Sequence, residues 1–381
     1  MASQCSQPLI KVMGVGGGGS NAVDRMLHVG IPGVQFISSN TDAQALALSE
    51  ASRKVQLGPE TTKGLGAGGN PEVGARAARE SAEQVQEALN GAEIVFVALG
   101  LGGGTGTGAA PVIAEVARKS GALTIAVATT PFSFEGSRRD QIAREGLGAL
   151  KAKSDTVIAI SNDRLLDFID EETSLDISFR IADDVLRQGI QGVAELITST
   201  GLINLNLMHV RAVLRNAGSA LMSIGQGRGD QRAVEAAELA VASPLTELSS
   251  IAGASAILVN ITGANDLSLD EIQQAVSVVA GVASPDADVF FGATLDPSMG
   301  DQVQVTLIAV GMDGRTPSRA LGAAVTRRDT SCEPRSTVSV VHPEPAHVQE
   351  RRWTVDLQDL DVPTFLRQRR LAKIGEEEQH G

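Results

Sequence analysis

Two glycine-rich stretches contain the residue types best suited to chemistry. They read "GVGGGGSN" (residues 14–21) and "GGGTGTG" (residues 102–108), and five of the seven residues in the second are glycine. Glycine lets backbone N–H groups approach an anion without interference from a Cβ atom, and the start of a following helix adds unpaired N–H groups. Thr105 and Thr107 add hydroxyl groups at the same place. The two stretches therefore predict a cradle for phosphate oxygens.

The elements on either side of these stretches must position them. Each stretch lies between a strand-like run, "LIKVMGV" (9–15) or "EIVFVALG" (93–100), and a helix-like segment. Loops that follow parallel strands open at the same carboxyl edge of a sheet, where ligands bind. The plainer alternative is a pair of tight strand-to-helix turns, which seldom need so many glycines.

The first loop also fits a second kind of ligand, a dinucleotide. Gly14, Gly16 and Gly19 match the dinucleotide fingerprint G-x-G-x-x-G, so a nicotinamide-dependent oxidoreductase is an alternative that depends on this match alone. The second loop lacks the Lys-Ser/Thr pair of a P-loop, which disfavours Walker-type chemistry.

Alternating strand-like and helix-like segments predict an α/β fold. Val/Ile/Leu runs between helices indicate a parallel sheet buried on both faces, in a Rossmann-type domain over residues 1–175. We expect a long central helix over 176–200 and a smaller α/β domain over 201–312. Residues 313–352 have the mixed charge and low apolar periodicity of a disordered linker, and a tail follows over 353–381.

Two local signals support these helices. Ser268 and Glu271 form a capping box at the start of a helix in the second α/β part. Gly189 and Gly192 lie inside the long helix, where each costs about 1 kcal/mol relative to alanine, so they predict close packing of a neighbouring element.

Composition excludes several classes of function. The 381-residue chain has a net charge of −13 and no basic run, which disfavours nucleic-acid binding, and its scarce aromatic residues (3%) disfavour base-stacking surfaces. Cys5 and Cys332 are interpreted as free thiols of a reducing compartment, and the five scattered histidines predict no metal site. No leader and no apolar run of about 18 residues is evident. We therefore expect a soluble cytoplasmic protein.

The glycine loops also carry a resemblance to a known family. "GGGTGTG" is similar to the signature of the tubulin and FtsZ superfamily, and "NTDAQAL", "GLGAGGNPEVG", "PFSFEG", "NDRLL" and "VLRQGIQGVAELI" resemble FtsZ, the bacterial tubulin-like cell-division proteins. The resemblance covers roughly residues 9–312 and 356–370. It implies a tubulin/FtsZ-like fold and a GTPase that polymerises head to tail into filaments of the division ring at mid-cell. It also implies GTP or GDP as ligand, with Mg²⁺ accompanying the nucleotide.

The same resemblance implies which residues bind the nucleotide. Phe179 would stack on guanine, and Asp183 would accept from guanine N1–H and the 2-amino group. Without the resemblance, Asp183 would be interpreted as a solvated carboxylate and Arg139 as a member of a surface ion pair. The full expected set comprises Gly17, Gly18, Gly19, Ser20, Asn21, Ala67, Gly68, Gly69, Asn70, Gly103, Gly104, Thr105, Gly106, Thr107, Gly108, Glu135, Arg139, Asn162, Phe179 and Asp183.

The chain departs from the family in the loop that would act on the neighbouring subunit's GTP. The family usually has G-L-I-N-L-D-F-A-D-V, whereas this chain has "GLINLNLMHV" (201–210). The two acids fall on Asn206 and His209, while Asn204 is retained. Asn206 carries no charge; His209 could act as a base, but we favour a degenerate position. The sequence therefore predicts weak hydrolysis. The alternative is a noncatalytic GTP-binding paralogue that co-assembles with an active FtsZ and regulates it.

The tail contains an apolar island among charges, which resembles the FtsZ peptide that binds membrane anchors and regulators. Such an island on a flexible tether suits folding on binding, with an inert terminus as the alternative. We expect partner proteins, and no direct membrane insertion, through Asp359, Leu360, Asp361, Val362, Pro363, Phe365, Leu366 and Arg367.

Overall fold

Apolar runs in the first half of the chain form strands that are buried along their whole length, as in β1 (Ile10–Val15). The structure, a computed structural model, describes residues 8–31, 33–165, 175–198, 207–242, 251 and 253–312. All of them belong to one unit of the chain, residues 1–321. The expected linker and tail, and with them the proposed partner-binding peptide, lie outside the described residues.

The strands form one ten-stranded sheet in the order β3-β2-β1-β4-β5-β6-β7-β10-β8-β9. The part from β3 to β7 is parallel, β10 pairs antiparallel with β7 and β8, and β8 pairs parallel with β9. The strands after β1 are β2 Val34–Asn40, β3 Arg53–Gln56, β4 Ile94–Gly100, β5 Leu123–Thr130, β6 Thr156–Ser161, β7 Gly218–Arg228, β8 Ala256–Gly263, β9 Asp288–Leu295 and β10 Gln302–Val310.

Helices cover both faces of this sheet, as the predicted α/β fold requires. In chain order they are α1 Gly16–Val29, α2 Ala43–Leu48, α3 Pro59–Thr62, α4 Pro71–Glu80, α5 Ala82–Leu89, α6 Thr105–Lys119, α7 Ser137–Lys153, α8 Asn162–Leu165, α9 Leu175–Thr198, α10 Leu207–Leu214, α11 Arg232–Val241 and α12 Leu269–Val282. The predicted capping box is confirmed, since Ser268 and Glu271 cap α12 reciprocally. None of the described helices is both long and apolar enough to span a bilayer.

Two hydrophobic layers enclose the parallel half of the sheet. Apolar residues of α1, α9 and α10 pack on one face, and those of α4, α5, α6 and α7 pack on the other. In α9, a Cβ on Gly192 would lie 2.8 Å from Cε of Met222 and 3.0 Å from Cγ2 of Thr306. The close packing predicted from this glycine is confirmed, and it joins α9 to β7 and β10.

A short stretch of pairing makes the sheet continuous between the two α/β parts. Only three residue pairs join β6 to β7, beginning with Thr156 and Gly218. The Thr156 hydroxyl also donates to the Leu214 carbonyl at the end of α10. The sheet itself therefore marks no division between the parts, and the proposed domain boundaries remain predictions.

Candidate functional site

Three segments meet backbone to backbone at the carboxyl edge of the parallel strands. A Cβ on Gly16, at the start of α1, would lie 2.9 Å from the amide nitrogen of Gly106. A Cβ on Gly104 would lie 2.8 Å from the amide nitrogen of Asn70, and one on Gly74 would lie 2.4 Å from the Gly104 carbonyl oxygen. The first loop, the "GGGTGTG" loop and the segment before α4 thus form one continuous surface.

The glycines of this surface divide into two groups. Gly104, Gly106 and Gly108 are needed for packing, since a Cβ on Gly108 would lie only 1.9 Å from the Pro71 carbonyl oxygen. Close packing against other segments, and not a tight turn, therefore explains these three glycines. The second group has no atom of the described residues within 4 Å of an added Cβ, so a ligand can approach its backbone; it comprises Gly17, Gly68, Gly69 and Gly103.

Two helix N-termini point their unpaired N–H groups at this surface. α1 has 14 residues and α6 has 15, and neither has an acidic residue in its first turn. Among the described residues, no side chain caps either N-terminus. Both ends therefore keep the partial positive charge that favours anions.

The two threonines of the "GGGTGTG" loop have different positions. Thr105 is half-buried, and its Oγ1 lies 2.6 Å from Oγ1 of the fully buried Thr41. Thr107 is 3% exposed, and its hydroxyl oxygen accepts from the Gly102 amide at 3.0 Å. Thr105 lies at the surface of the site, whereas Thr107 holds the loop together from inside. Of the two hydroxyl groups expected to be available to a ligand, that of Thr105 is accessible and that of Thr107 is not.

The segment before α4 is the third part of this surface. Gly68 and Gly69 adopt left-handed φ angles of 57° and 74° and are exposed, while Ala67 is buried beneath them. Asn70 caps α4, because its side-chain oxygen accepts from the Glu72 amide at 2.9 Å. Of the first loop, Gly18 and Asn21 are exposed and Gly19 and Ser20 are buried.

A second cluster lies between α1 and α9. Phe179 of α9 is 38% exposed, and its ring centroid lies 5.6 Å from that of Phe132 in an edge-on arrangement. Asp183, one turn further along α9, pairs with Arg25 of α1 through Nε and Oδ2 at 3.4 Å. Burial raises the pKa of Asp183 to about 6, while Arg25 opposes and Asp184 adds to that rise. An exposed ring beside a half-buried carboxylate suits a planar heterocycle with adjacent donors.

The remaining expected residues surround the space between these clusters. Glu135 accepts from the Phe132 amide at 2.9 Å and pairs with Arg139, so the surface-pair interpretation of Arg139 describes its observed contact. The Arg139 carbonyl oxygen lies 3.1 Å from a Cβ placed on Gly102, which puts the start of α7 against the "GGGTGTG" loop. Asn162, at the end of β6, is 5% exposed, and its Oδ1 has no hydrogen-bond partner among the described residues.

Comparison with known proteins identifies the family. Residues 9–170 match the Tubulin/FtsZ family GTPase domain, and residues 218–313 match the FtsZ family C-terminal domain. The structure of an empty FtsZ dimer from M. jannaschii is 42% identical, with a TM-score of 0.78, over 82% of this chain and 90% of that one. This chain belongs to the tubulin/FtsZ family.

Two further structures support the fold of this family member. A single-substitution mutant of FtsZ from M. jannaschii is 42% identical, with a TM-score of 0.77, over 81% of this chain and 92% of that one. A GTPγS-bound protofilament of CetZ2 from Haloferax volcanii is 21% identical, with a TM-score of 0.69, over 79% and 93% of the two chains. At that identity the second likeness concerns the fold alone.

The loop expected to act in hydrolysis lies partly outside the described residues, and so do Asn204 and Asn206. His209 is described: it is exposed in the first turn of α10, and its ring centroid lies 5.9 Å from that of Phe290. α10 lies at the amino ends of β5 and β6, because Arg211 donates to the Gly121 carbonyl at 3.0 Å and Leu214 accepts from Thr156. That edge is opposite the glycine loops.

Two residues of the site had no role in the sequence-based expectations. Thr41 stands in "NTDAQAL", which was used only for its family resemblance, and Arg25 stands in α1, one turn after Asn21. Helical spacing places Asn21 and Arg25 on one face, a signal that could have identified Arg25. Nothing in the sequence indicates that Thr41 meets Thr105 across 64 positions.

Proposed function

We propose that this protein binds GTP at the carboxyl edge of its sheet and polymerises head to tail, so that α10 of one subunit meets the nucleotide of the next. One observation carries the proposal: the glycine loops and α10 lie at opposite edges of the sheet. β5 alone has eight residues and spans about 25 Å. A loop beside α10 therefore reaches a nucleotide at the glycine loops only on another copy.

The contacts available support guanine nucleotide as the ligand. The open glycines and the N-termini of α1 and α6 bind phosphate oxygens, and Thr105 adds a hydroxyl group. Phe179 stacks on the base, and Asp183 accepts from two parallel donors that guanine has and adenine lacks. Mg²⁺ enters with the triphosphate and neutralises phosphate charge; the described residues contain no group of three or more His, Cys, Asp or Glu that could hold a metal independently.

Hydrolysis by the pure protein is slow in this proposal. Asn206 and His209 replace two carboxylates that would orient the attacking water. Losing one preorganised charge typically costs about 10²-fold in rate. Because the loop serves the neighbour's nucleotide, a mixed filament with a loop-intact FtsZ would cleave this protein's GTP and preserve the partner's GTP wherever it faces this loop.

The same departure supports a second candidate function, a noncatalytic paralogue that co-assembles with an active FtsZ and regulates it. In either case the filament belongs to the bacterial division ring at mid-cell. The tail segment around Pro363 would bind membrane-anchor and regulator proteins. The similar FtsZ structure from M. jannaschii is a dimer, which supports self-association.

Sedimentation separates the candidates. The pure protein is centrifuged with GTP, with GDP and without nucleotide, alone and with a loop-intact FtsZ, while released phosphate is measured. Pelleting with GTP alone supports the self-assembling GTPase. Pelleting only with the partner supports the regulator. Phosphate release by the pure protein at the rate of the loop-intact FtsZ would rule out weak hydrolysis.

A further inference from the structure

Arg25 and Asp183 connect the two helices that enclose the expected base position. Arg25 Nε lies 3.4 Å from Asp183 Oδ2, and the side chains are 35% and 18% exposed. The closest approach is to Oδ2. An ionised carboxylate has about four lone-pair sites, so Asp183 can accept from further donors beside Arg25.

Resting on the proposed function, we propose that Arg25 is a positioning residue for guanine recognition, which keeps the Asp183 carboxylate ionised and aimed at the base. Guanine presents N1–H and the 2-amino group as two donors, and only an ionised carboxylate accepts both. A protonated Asp183 would direct an O–H at a donor and lose one of the two bonds.

The surroundings of Asp183 explain why a cation is needed. Burial raises the pKa of this carboxyl, Arg25 lowers it and Asp184 raises it, and the net value is about 6. Arg25 is the group that lowers it. Without Arg25, the pKa would move toward neutral pH, and a growing fraction of Asp183 would be protonated under physiological conditions.

The acidic residues next to Arg25 and Asp183 in the sequence have other partners. Asp24 of α1 accepts from the Ser49 hydroxyl at 2.7 Å and from the Glu50 amide at 2.8 Å, so it faces the turn after α2. Asp184 pairs with Arg187 at 2.7 Å on its own helix.

Of the elements next to α9 in the parallel half, α8 carries the cation Arg164, but Arg25 is the cation that lowers the pKa of Asp183. Asp163 of α8 accepts from the Ser133 amide and hydroxyl at 2.7 and 2.6 Å. β5 contributes only uncharged residues. Among the charges described around Asp183, Arg25 is therefore the one positioned to hold it ionised.

Calorimetric titration with GDP between pH 5.5 and 8.5 tests the role of Arg25. Wild type is compared with Arg25→Ala and Arg25→Lys. Arg53→Ala is the matched control, because Arg53 forms a surface pair with Glu87 at 3.1 Å, outside the site. The affinity of wild type should fall as the pH drops through about 6. In Arg25→Ala this fall should begin about one pH unit higher, giving about threefold weaker binding at pH 6.5, a deficit that grows toward about tenfold at pH 5.5 and vanishes by pH 8.5. Arg25→Lys should restore most of the profile.

Each other outcome has a defined meaning. An Arg25→Ala profile with the wild-type midpoint, or a loss that is equal at every pH, would overturn the positioning role. If Arg25→Ala fails to fold by circular dichroism, Arg25→Met takes its place under the same criteria. If wild type itself binds no GDP at pH 8.5, the proposed function fails, which is a separate result from an unshifted midpoint in a wild type that binds.

Discussion

The hydroxyl oxygens of Thr41 and Thr105 lie 2.6 Å apart and join the end of β2 to the first residue of α6. Thr41 is fully buried, and its carbonyl also accepts from the Thr62 hydroxyl at 3.2 Å. The start of α6 is therefore held by a buried polar contact from a strand two positions away in the sheet. The rotation of the Thr105 side chain, and with it the hydroxyl offered to a ligand, depends on Thr41.

Thr41→Val removes this contact with little change in shape. We expect a loss of about 1 kcal/mol in the free energy of unfolding, together with weaker GDP binding. Thr41→Ser keeps the hydroxyl group and is the control. Urea unfolding and calorimetry measure the two effects, and a valine variant with wild-type affinity for GDP would contradict the role given to Thr41.

The two groups of glycines predict opposite results for alanine. Gly108→Ala places a Cβ 1.9 Å from a backbone carbonyl oxygen and should cost at least about 3 kcal/mol of stability. Gly103→Ala meets no described atom within 4 Å, so it should fold normally but weaken GDP binding by at least about tenfold. Thermal unfolding and GDP titration of both variants check the division. Normal nucleotide affinity in Gly103→Ala would show that ligands do not approach there.

Asp183 should lower the stability of the free protein at neutral pH. A carboxyl whose folded pKa is raised from 3.8 to about 6 binds more protons folded than unfolded, so stability falls as the pH rises between those values. The full cost above pH 6 is roughly 3 kcal/mol. Asp183→Asn should therefore stabilise the fold at pH 7 by roughly 1 to 3 kcal/mol while abolishing guanine selectivity, and the gain should vanish below about pH 4.

Asp184→Asn is the control for that substitution and should lower the stability of the fold at pH 7. It removes the charged partner of Arg187, which is 5% exposed. Urea unfolding of both variants at pH 4 and pH 7 measures the difference. A destabilised Asp183→Asn at pH 7 would contradict the assigned cost.

Restoring both loop acids should restore hydrolysis. The double variant Asn206→Asp, His209→Asp returns two carboxylates to the family positions, and we expect steady-state phosphate release to rise by about 10²-fold. Met208→Ala restores a family residue without charge and should leave the rate near that of the wild type. Equal rates for wild type and the double variant would locate the cause of slow hydrolysis elsewhere.

Strand positions could be predicted well, because burial on both faces leaves an uninterrupted apolar run. The runs predicted over 9–15 and 93–100 begin one residue before the observed β1 and β4 and end at the same residues. β3 was missed, since this edge strand has four residues and carries Arg53 and Lys54. The pairing of β6 with β7 could not be predicted from the sequence either. Its three residue pairs join strands that α9 separates in the chain, so they depend on how α9 packs.

The sequence indicated where the site lies, but not which atoms contact one another in it. Glycine content indicated the loops, yet only the structure separates Gly108, needed for packing, from Gly103, which faces open space. Likewise, Thr105 and Thr107 are equivalent in sequence, while the second hydroxyl turns inward to Gly102. Such differences depend on contacts with atoms of other segments, and the local sequence does not determine those contacts.

Calorimetric titration of the 381-residue protein with GDP, and separately with ADP, is the most direct test of selective guanine nucleotide binding. GDP is the suitable probe because it reports binding without requiring assembly. We expect one GDP bound per chain, with ADP at least about 10²-fold weaker because Asp183 finds no second donor on adenine. Absence of GDP binding at pH 8, or equal affinity for ADP, would contradict this expectation.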